Sequence, residues 1–377
     1  MADIRQFETL EICGFRGLST LDLAGLGTLN VLLGANDVGK TSILEAIFLV
    51  CNPTEPRLPV RVQNRRNYMV QDIDDLSYIF LDLDFNRTID ITARRDHSEY
   101  RRLSITAPKL DPSVDQESKR RADSSNGQTG SVPRSKEADD QSSSVVHGGR
   151  VLQYNAEVRS TLQGVPLSYS VRLIDRGDKW GVDVGDAINT RSAVSIPARF
   201  LGPSFGYDTD RIGKLVIAKK DGQLLTFLRI ISSRVARVSV LGDFTYLDIG
   251  LKEMMPLNMF GSGMIRTAMI LSECLLSEIR VLLIDELEYG LHYQAIPPLL
   301  EALLKLSSEL GIQIFATTHS VDVLKALQQV LTREESLKYQ STTTCFAIQR
   351  ADDGSVRSYR YDYDQFDHCI RNEMEIR

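Results

Sequence analysis

Cysteine is scarce in this sequence, with five in 377 residues, which argues against a disulfide framework. No two cysteines are separated by two residues, the spacing typical of metal-binding pairs. Cys369 follows His368 directly, and we interpret both residues as structural. Scattered single cysteines are typical of reduced proteins. The five are Cys13, Cys51, Cys274, Cys345 and Cys369.

Long apolar runs are also absent. The first residues contain no apolar stretch of the signal-peptide kind, and no run approaches the roughly 20 residues that span a bilayer. These absences predict a soluble cytoplasmic protein with no membrane partner.

The chain has no strong excess of charge of one sign, since its formal net charge is -6. Tight, sequence-independent DNA binding is therefore not expected from charge alone, although a local basic face stays open. Four arginines recur at near-helical spacing, which fits either a strip facing DNA or a partner, or a solvated helix face. They are Arg57, Arg61, Arg65 and Arg66.

Apolar residues are nearly missing from residues 108–149, which are dominated by Ser, Asp, Lys, Arg, Gln and Gly. Such a segment cannot bury enough surface to offset its chain entropy, so we predict a disordered insert. The flanking segments Tyr100–Ala107 and Leu152–Arg159 alternate as strands, so the insert is predicted to be the tip of a long hairpin. Another strand is predicted at Ser77–Leu83.

A glycine-bounded loop between a buried strand and a helix is the strongest signal. Its spacing is Gly, four residues, Gly-Lys-Thr, the pattern of a phosphate-binding loop. The glycines allow tight turns that point several N–H groups at one anion, and the helix N-terminus adds partial positive charge. Lys40 is predicted to reach the β- and γ-phosphates of ATP, and Thr41 to bind Mg²⁺. The predicted nucleotide-binding residues are Gly34, Asn36, Asp37, Val38, Gly39, Lys40, Thr41 and Ser42.

Two later strands end in residues suited to nucleotide hydrolysis. The apolar strand 281–284 is followed by Asp285 and Glu286, at the strand end where α/β sheets place ligands. Asp285 is predicted to bind Mg²⁺ with the loop threonine, and Glu286 to orient and polarise the attacking water. The next strand is predicted at Gln313–Thr318 and leads into His319, which we expect to reach the γ-phosphate or that water.

Two further candidates are weaker. Ser262 and Gly263 begin an apolar helix and offer a hydroxyl and free N–H groups to an anion, although both residue types are common at helix starts. Arg16 lies in a short turn two strands before the phosphate loop. It is either a nucleotide contact or a solvated arginine, and the sequence favours neither.

In their order along the chain, these elements resemble the ABC-type ATPase heads of the SMC, RecF and OLD families. They are most similar to the stand-alone OLD-like ATPases of bacterial anti-phage systems. The resemblance covers most of the chain outside the polar insert and rests on the combination of motifs. These are Gly14-Phe15-Arg16-Gly17-Leu18, the loop 34–42, Phe260-Gly261-Ser262-Gly263, Leu283-Ile284-Asp285-Glu286, Gly290-Leu291-His292 and Thr317-Thr318-His319-Ser320.

This resemblance implies an α/β P-loop NTPase fold of the ABC-ATPase head type, with a mixed central sheet, an antiparallel β lobe and a helical lobe. Residues 1–200 would form lobe I, with the phosphate loop and a β subdomain. Residues 201–377 would form a helical arm and lobe II, with the signature, Walker B and His-loop.

A head-to-tail homodimer is also implied, with ATP held between the phosphate loop of one subunit and Ser262-Gly263 of the other. Larger assemblies stay open. Tyr289 departs from the family, whose members often carry a smaller polar residue there. The Gln-loop is not obvious, and Gln71 is a weak candidate. No carboxylate cluster follows His319, so the TOPRIM nuclease of OLD proteins is not predicted.

Two functional hypotheses follow. In the first, the protein is a slow, regulatory ATPase of an anti-phage system, and a separate effector nuclease or toxin causes the damage. In the second, it is a RecF-like ATPase that grips DNA during repair. Negative net charge and the lack of a long coiled coil favour the first. A simpler alternative is that ATP joins the dimer and is scarcely hydrolysed.

Overall fold

The computed structural model describes residues 4–53, 55, 57–66, 68–70, 74–96, 99–108, 152–159, 171–175, 180–184, 195–203 and 207–374. Its strands are β1 (Thr9–Phe15), β2 (Leu18–Ala24), β3 (Leu29–Leu33), β4 (Ile89–Arg94), β5 (Tyr100–Thr106), β6 (Gln153–Arg159), β7 (Val171–Asp175), β8 (Trp180–Val184), β9 (Ala198–Leu201), β10 (Arg237–Leu241), β11 (Phe244–Asp248), β12 (Met255–Pro256), β13 (Val281–Ile284), β14 (Gln313–Thr318), β15 (Thr343–Arg350) and β16 (Val356–Tyr361).

The α-helices are α1 (Lys40–Cys51), α2 (Leu58–Asn64), α3 (Thr209–Ile217), α4 (Asp221–Ile231), α5 (Ser262–Leu276), α6 (Ile296–Leu310), α7 (Val321–Leu331) and α8 (Tyr363–Arg371). Short 3₁₀ helices span Asp74–Ile79, Leu81–Leu83, Leu257–Met259, Tyr293–Ala295 and Glu334–Thr342. Among the described residues, no helix is both long enough and apolar enough to cross a membrane.

A mixed sheet with the order β16-β15-β3-β14-β13-β9 forms the centre of the molecule. Its strands run parallel except β16, which pairs antiparallel with β15 at one edge. Parallel strands end at the same side of a sheet, so the residues that follow β3, β13 and β14 meet there. The phosphate loop, the Asp285-Glu286 pair and His319 occupy these positions.

Side chains of the central sheet alternate between two apolar cores. Along β13, Val281 and Leu283 join one core, whereas Leu282 and Ile284 join the other. The first core also contains α1 and one face of an antiparallel sheet with the order β2-β1-β4-β5-β6. The second core is packed against α3 to α8.

Helix α1 lies between the two sheets, in contact with β1, β4 and β5 on one side and with β9, β13 and β14 on the other. Every residue from Ser42 to Cys51 is buried. A helix enclosed on both sides needs apolar residues around its whole circumference, which accounts for the sequence of α1.

The fold confirms the predicted class, a mixed central sheet with an antiparallel β lobe and a helical lobe. The predicted strand at Ser77–Leu83 is wrong, because this segment forms two 3₁₀ helices. Leu76 and Ile79 are both buried, and a spacing of three places them on one side of a 3₁₀ turn. The residue types of this segment suit a strand, but its backbone does not form one.

Except for Pro108, the predicted insert 108–149 lies outside the described residues, as does Gln71. Strands β5 and β6 pair antiparallel with Thr106 opposite Gln153, as expected of a hairpin. The division at residue 200 stays a prediction. Strands from both parts share the central sheet, since β3 precedes that point, β9 crosses it and the other strands follow it.

Candidate nucleotide-binding site

The phosphate loop connects β3 to α1 and requires glycine at both ends. A Cβ atom on Gly34 would lie 2.4 Å from the carbonyl oxygen of Ile348, and Gly39 has φ +102°. Asp37 also adopts a positive φ, +62°. The helix begins at Lys40 with no side-chain hydrogen bond to its first amides, so its N-terminus is available to an anion.

Lys40 folds back over the loop. Its Nζ donates to the carbonyl oxygens of Gly34 and Ala35, each at 2.7 Å. Burial lowers the pKa of Lys40, while Asp285, Glu288 and other carboxylates oppose the shift. The lysine is thus held beside the loop by two neutral acceptors, which a phosphate can replace.

Thr41 and Asp285 meet as predicted. The Thr41 hydroxyl lies 2.9 Å from Oδ2 and 3.1 Å from Oδ1 of Asp285. Thr317, in β14, donates to Oδ1 of the same carboxylate at 2.6 Å. Hydroxyl and carboxylate oxygens are suitable ligands for Mg²⁺, which is often bound by one or two protein groups together with substrate phosphates.

This donor set fits a metal that arrives with a nucleotide. Within the described residues, no group of three or more His, Cys, Asp or Glu side chains could hold a metal ion by itself. Phosphate oxygens and water would have to supply the remaining ligands. Thr41 and Asp285 are the residues that would hold Mg²⁺.

Glu286 follows directly with φ +50°, an uncommon conformation for a residue with a side chain. Its N–H donates to the Thr317 hydroxyl at 2.8 Å, and its carbonyl oxygen accepts from Arg266 at 3.0 Å. The turned backbone directs Glu286 to the cavity beside the phosphate loop. This is the position expected of a group that orients water.

His319 is about half exposed and is held by a carboxylate that the sequence did not single out as its partner. Its backbone N–H donates to Glu288 Oε1 at 2.9 Å, and its Nδ1 lies 3.1 Å from the same oxygen. A proton on Nδ1 would satisfy this contact and leave Nε2 available to a ligand.

These groups surround one cavity of about 510 Å³. Gly34 and Val38 are not among its lining residues; Gly34 lies against the backbone of Ile348, and Val38 is buried. The lining residues are Arg16, Gly17, Asn36, Asp37, Gly39, Lys40, Thr41, Ser42, Arg66, Asp285, Glu286, Thr317, His319 and Arg350. The structure therefore brings together most of the predicted site.

Arg16 is not a solvated arginine, because its side chain is only 9% exposed. Its Nε lies 2.7 Å from Glu45 Oε2, and it lines the cavity. Burial lowers the pKa of Arg16, and the attraction of Glu45 opposes that shift. The interpretation as a nucleotide contact is the one that this position supports.

The four arginines of the predicted strip lie in different surroundings: Arg57 and Arg61 are exposed, whereas the other two also contact protein groups. Arg65 packs over the rings of Phe48 and Phe200, with its guanidinium carbon 5.0 and 4.8 Å from their centroids. Arg66 forms hydrogen bonds with both oxygens of Glu45. Burial by itself would lower the pKa of Arg66, but the hydrogen bonds and charge of Glu45, together with the charges of Asp285 and Asp37, raise it overall. Helix α2 ends at Asn64, so both arginines lie beyond its last residue.

Arg350 is a cavity residue that no local motif indicated. It ends β15, which pairs with β3 and so extends towards the phosphate loop. Its guanidinium donates to the carbonyl oxygens of Gly354 at 3.0 Å and Asp37 at 3.4 Å. Only the strand pairing, over more than 300 residues, could have placed it there.

Ser262 and Gly263 lie apart from this cavity. Ser262 is the first residue of α5, is exposed, and donates to the carbonyl oxygen of Gly290. Gly263 is buried, and a Cβ atom there would approach the Ala295 side chain to 3.0 Å. The second helix start is therefore on the surface of the same chain but not in its phosphate site.

The fold and the cavity define an ABC-type P-loop ATPase head. Residues 29–325 match the family described as "AAA domain, putative AbiEii toxin, Type IV TA system". The chain belongs to that family, and the match includes the phosphate loop, Ser262, the Asp285-Glu286 pair and His319.

Two curated proteins are similar over parts of the chain. An "ATP/GTP phosphatase" of Helicobacter pylori is 29% identical over 129 residues, which are 33% of this chain and 34% of that protein. An "uncharacterized protein" of Methanocaldococcus jannaschii is 44% identical over 48 residues, 13% of this chain and 22% of its own length. The chain thus matches about a third or less of the length of these relatives.

Among solved structures, similarity extends along the chain at low identity. An SMC head domain from Thermotoga maritima has a TM-score of 0.48 and 11% identity, with 95% of this chain and 100% of that chain covered. An Smc head domain bound to the C-terminal domain of ScpA, derived from Pyrococcus furiosus, has a TM-score of 0.47 and 10% identity, with 98% and 99% covered.

Proposed function

We propose that the protein binds ATP in this cavity and hydrolyses it slowly, as a dimer that forms when nucleotide is bound. The Thr41–Asp285–Thr317 contacts carry the proposal, because they join the phosphate loop to the carboxylate pair within hydrogen-bonding distance. The curated relative named "ATP/GTP phosphatase" supports hydrolysis of a nucleoside triphosphate.

Each residue has a distinct task in this proposal. Amides of the phosphate loop and Lys40 bind the phosphates, and Glu286 accepts a hydrogen bond from the attacking water and polarises it. His319, oriented by Glu288, directs its Nε2 towards the γ-phosphate or that water. When bound, Mg²⁺ would neutralise charge on the β- and γ-phosphates.

The proposed dimer explains the position of Ser262 and Gly263. Ser262 is exposed, and neither residue lines the phosphate cavity of its own chain. In the dimer, the partner's Ser262 and the partner's Gly263 would close the site over the γ-phosphate. Each ATP would then be bound by two helix N-termini.

Glu286→Gln is expected to abolish turnover while keeping ATP bound, so that the variant accumulates as an ATP-dependent dimer. Lys40→Ala is expected to lose nucleotide binding and stay monomeric. Phosphate release, calorimetric titration with ATP and light scattering measure these three properties. Turnover of Glu286→Gln at the wild-type rate would remove Glu286 from the proposed role, and unchanged ATP affinity of Lys40→Ala would contradict the site itself.

We further propose that the ATPase regulates a separate effector nuclease or toxin in an anti-phage system. The family description refers to a putative toxin and to a toxin–antitoxin system, and this supports a defence context. The identity of the neighbouring gene provides the direct test: a nuclease or toxin gene is expected there, and its product should copurify with the ATPase. Direct DNA binding has less support, because Arg65 and Arg66 contact the protein itself.

A further inference from the structure

Glu45 is a charged residue in a helix that is otherwise built for an apolar environment. It lies in α1, five positions after Lys40, and its side chain is 1% exposed. Its neighbours Leu44 and Ala46 are fully buried. A carboxylate in such surroundings is costly unless charged partners satisfy it.

Two arginines from distant segments provide those partners. Arg66 contacts both carboxylate oxygens, Nε to Oε1 and NH2 to Oε2, each at 2.9 Å. Arg16 approaches Oε2 with its Nε at 2.7 Å. We call this group the Glu45 cluster: Glu45, Arg16 and Arg66. With two cations and one anion, it carries a net positive charge.

That positive charge faces the phosphate site. Arg16 and Arg66 both line the cavity, and Arg66 also donates to the Ser42 hydroxyl at 3.2 Å. Within the described part of the chain, the buried NH2 nitrogen of Arg16 has no hydrogen-bond acceptor. A buried donor without a partner indicates a missing ligand, and a guanidinium is suited to phosphate.

The Glu45 cluster lies at the side of the cavity that contains Thr41 and Asp285. Ser42 follows Thr41, which contacts Asp285, and the negative charge of Asp285 acts on Arg66. The terminal phosphates of ATP are the part of the nucleotide that belongs beside Thr41 and Asp285. An arginine pair at this position is suited to contact the terminal phosphate, which a triphosphate has and a diphosphate lacks.

We propose that Glu45 is a positioning residue that holds Arg16 and Arg66 against the terminal phosphates of ATP, and that this pair gives the site its preference for ATP over ADP. The inference rests on the proposed ATP site. It adds Arg66 as a nucleotide contact and assigns Glu45 the task of fixing both guanidiniums.

Whether Glu45→Gln weakens or strengthens ATP binding distinguishes a positioning role of Glu45 from a purely electrostatic one. The substitution raises the positive charge beside the cavity, so a purely electrostatic role would strengthen binding of polyphosphates. Loss of positioning instead predicts that ATP affinity falls about tenfold, with ADP affinity changed about threefold or less, because a charge-assisted hydrogen bond is lost at the terminal phosphate. Calorimetric titration of the full chain with Mg-ATP and Mg-ADP measures both affinities.

Glu273→Gln is a matched control. Glu273, in α5, is a fully buried carboxylate that also pairs with two arginines, Arg199 and Arg211, but it does not line the cavity. It is expected to lower thermal stability without changing the ratio of ATP to ADP affinity. Equal ratios for Glu45→Gln and Glu273→Gln, or tighter ATP binding by Glu45→Gln, would overturn the proposal.

Arg66→Lys decides the question if Glu45→Gln does not fold. The Arg66 side chain is 39% exposed, so the substitution is compatible with folding, and it keeps the charge while losing the two-point contact. The expected result is the same selective loss of ATP affinity; wild-type affinity would overturn the proposal. Failure of the wild-type protein to bind ATP would instead contradict the proposed function.

Discussion

The Thr317 hydroxyl donates to Asp285 at 2.6 Å and accepts the N–H of Glu286 at 2.8 Å. One side chain thus fixes both the Asp285 carboxylate and a backbone with φ +50° at Glu286. Residues in such conformations cost roughly 1–3 kcal/mol and persist only when their surroundings hold them. Thr317 is therefore part of the site even though it need not contact the nucleotide.

Thr317→Val should decrease the free energy of unfolding by about 1–3 kcal/mol, because it removes the acceptor of the Glu286 N–H. It should also lower kcat more than it raises KM, since Glu286 loses its orientation. Denaturant unfolding and steady-state ATP hydrolysis measure the two effects. Thr343→Val is the control: Thr343 is also buried, its hydroxyl donates to the carbonyl oxygen of Tyr339, and it does not line the cavity, so kcat should stay near the wild-type value.

The local sequence was enough to identify candidate residues whose signal lies within one continuous segment. The phosphate loop and the Asp285-Glu286 pair follow buried strands, and both signals are continuous in sequence. Glu45 and Arg350 could not be assigned in this way, and Glu288, in a turn that the family resemblance places at the site, could not be recognised as the partner of His319. Their roles depend on partners from other segments, and no fixed spacing connects a buried carboxylate to an arginine 21 or more residues away.

At the scale of elements, the turn between β3 and α1 depends on a close approach by a second strand. The carbonyl oxygen of Ile348, in β15, occupies the space where a side chain at Gly34 would begin. The hairpin of β15 and β16 therefore packs directly against the phosphate loop at Gly34. A side chain at Gly34 would have to displace backbone atoms of Ile348, which move less easily than a flexible side chain.

Gly34→Ala should consequently destabilise the protein by about 1–3 kcal/mol, as expected when a packed site is overfilled. ATP affinity should fall as well, because the shifted loop no longer directs its amides at one point. Gly222→Ala is a suitable control, since that glycine lies in α4 and a Cβ there meets nothing within 4 Å. Thermal unfolding should show a neutral or stabilising effect for Gly222→Ala and a loss for Gly34→Ala.

Elements with strong periodicity were predictable, and those shaped by turns were not. Strand β14 has the predicted bounds, Gln313–Thr318, because a short apolar run followed by polar residues defines a buried parallel strand. Residues 77–83 contain apolar residues at intervals that suit either a strand or a 3₁₀ turn. Positive φ angles at Asp82 and Leu83 interrupt an extended chain there, and sequence alone does not reveal them.

At the scale of the molecule, the two cores leave the cysteines in different environments. Burial raises the pKa of Cys51 and of Cys345 to about 12, and it also raises the pKa of Cys274. Cys13 and Cys369 are partly exposed. All five are free thiols in the structure.

Two thiols per chain should therefore react quickly with a disulfide reagent at pH 8, and three only after unfolding. A thiol with a pKa of about 12 is ionised to roughly one part in ten thousand at that pH, and the thiolate is the reactive form. Raising the pH increases the thiolate fraction, so any slow native-state reaction should accelerate. Rapid labelling of four or five thiols in the native protein would contradict the described packing. Double substitution of Cys13 and Cys369 to Ser should remove the fast phase.

The central sheet also limits what sequence could reveal about domains. A boundary near residue 200 separates regions of different composition, yet β3 shares one sheet with strands that follow that boundary, and β9 crosses it. Composition reports local character, whereas sheet order depends on pairings between distant segments. The fold class was predictable from motif order, but the neighbours of β3 were not.

Those neighbours have a consequence for how the protein is made. Strand β3 lies between β14 and β15, and Asn30 contacts the carbonyl oxygen of Ile314, 284 residues later. While the ribosome is still translating the middle of the chain, β3 has no sheet to join, and the apolar helix α1 has only one of its two covering sheets. Pairings over such distances form slowly and leave apolar surface exposed to chaperones. The cavity is therefore completed only after the late strands have been synthesised, because Arg350 at the end of β15 lines it. A nascent chain that stops before β15 should not bind the nucleotide.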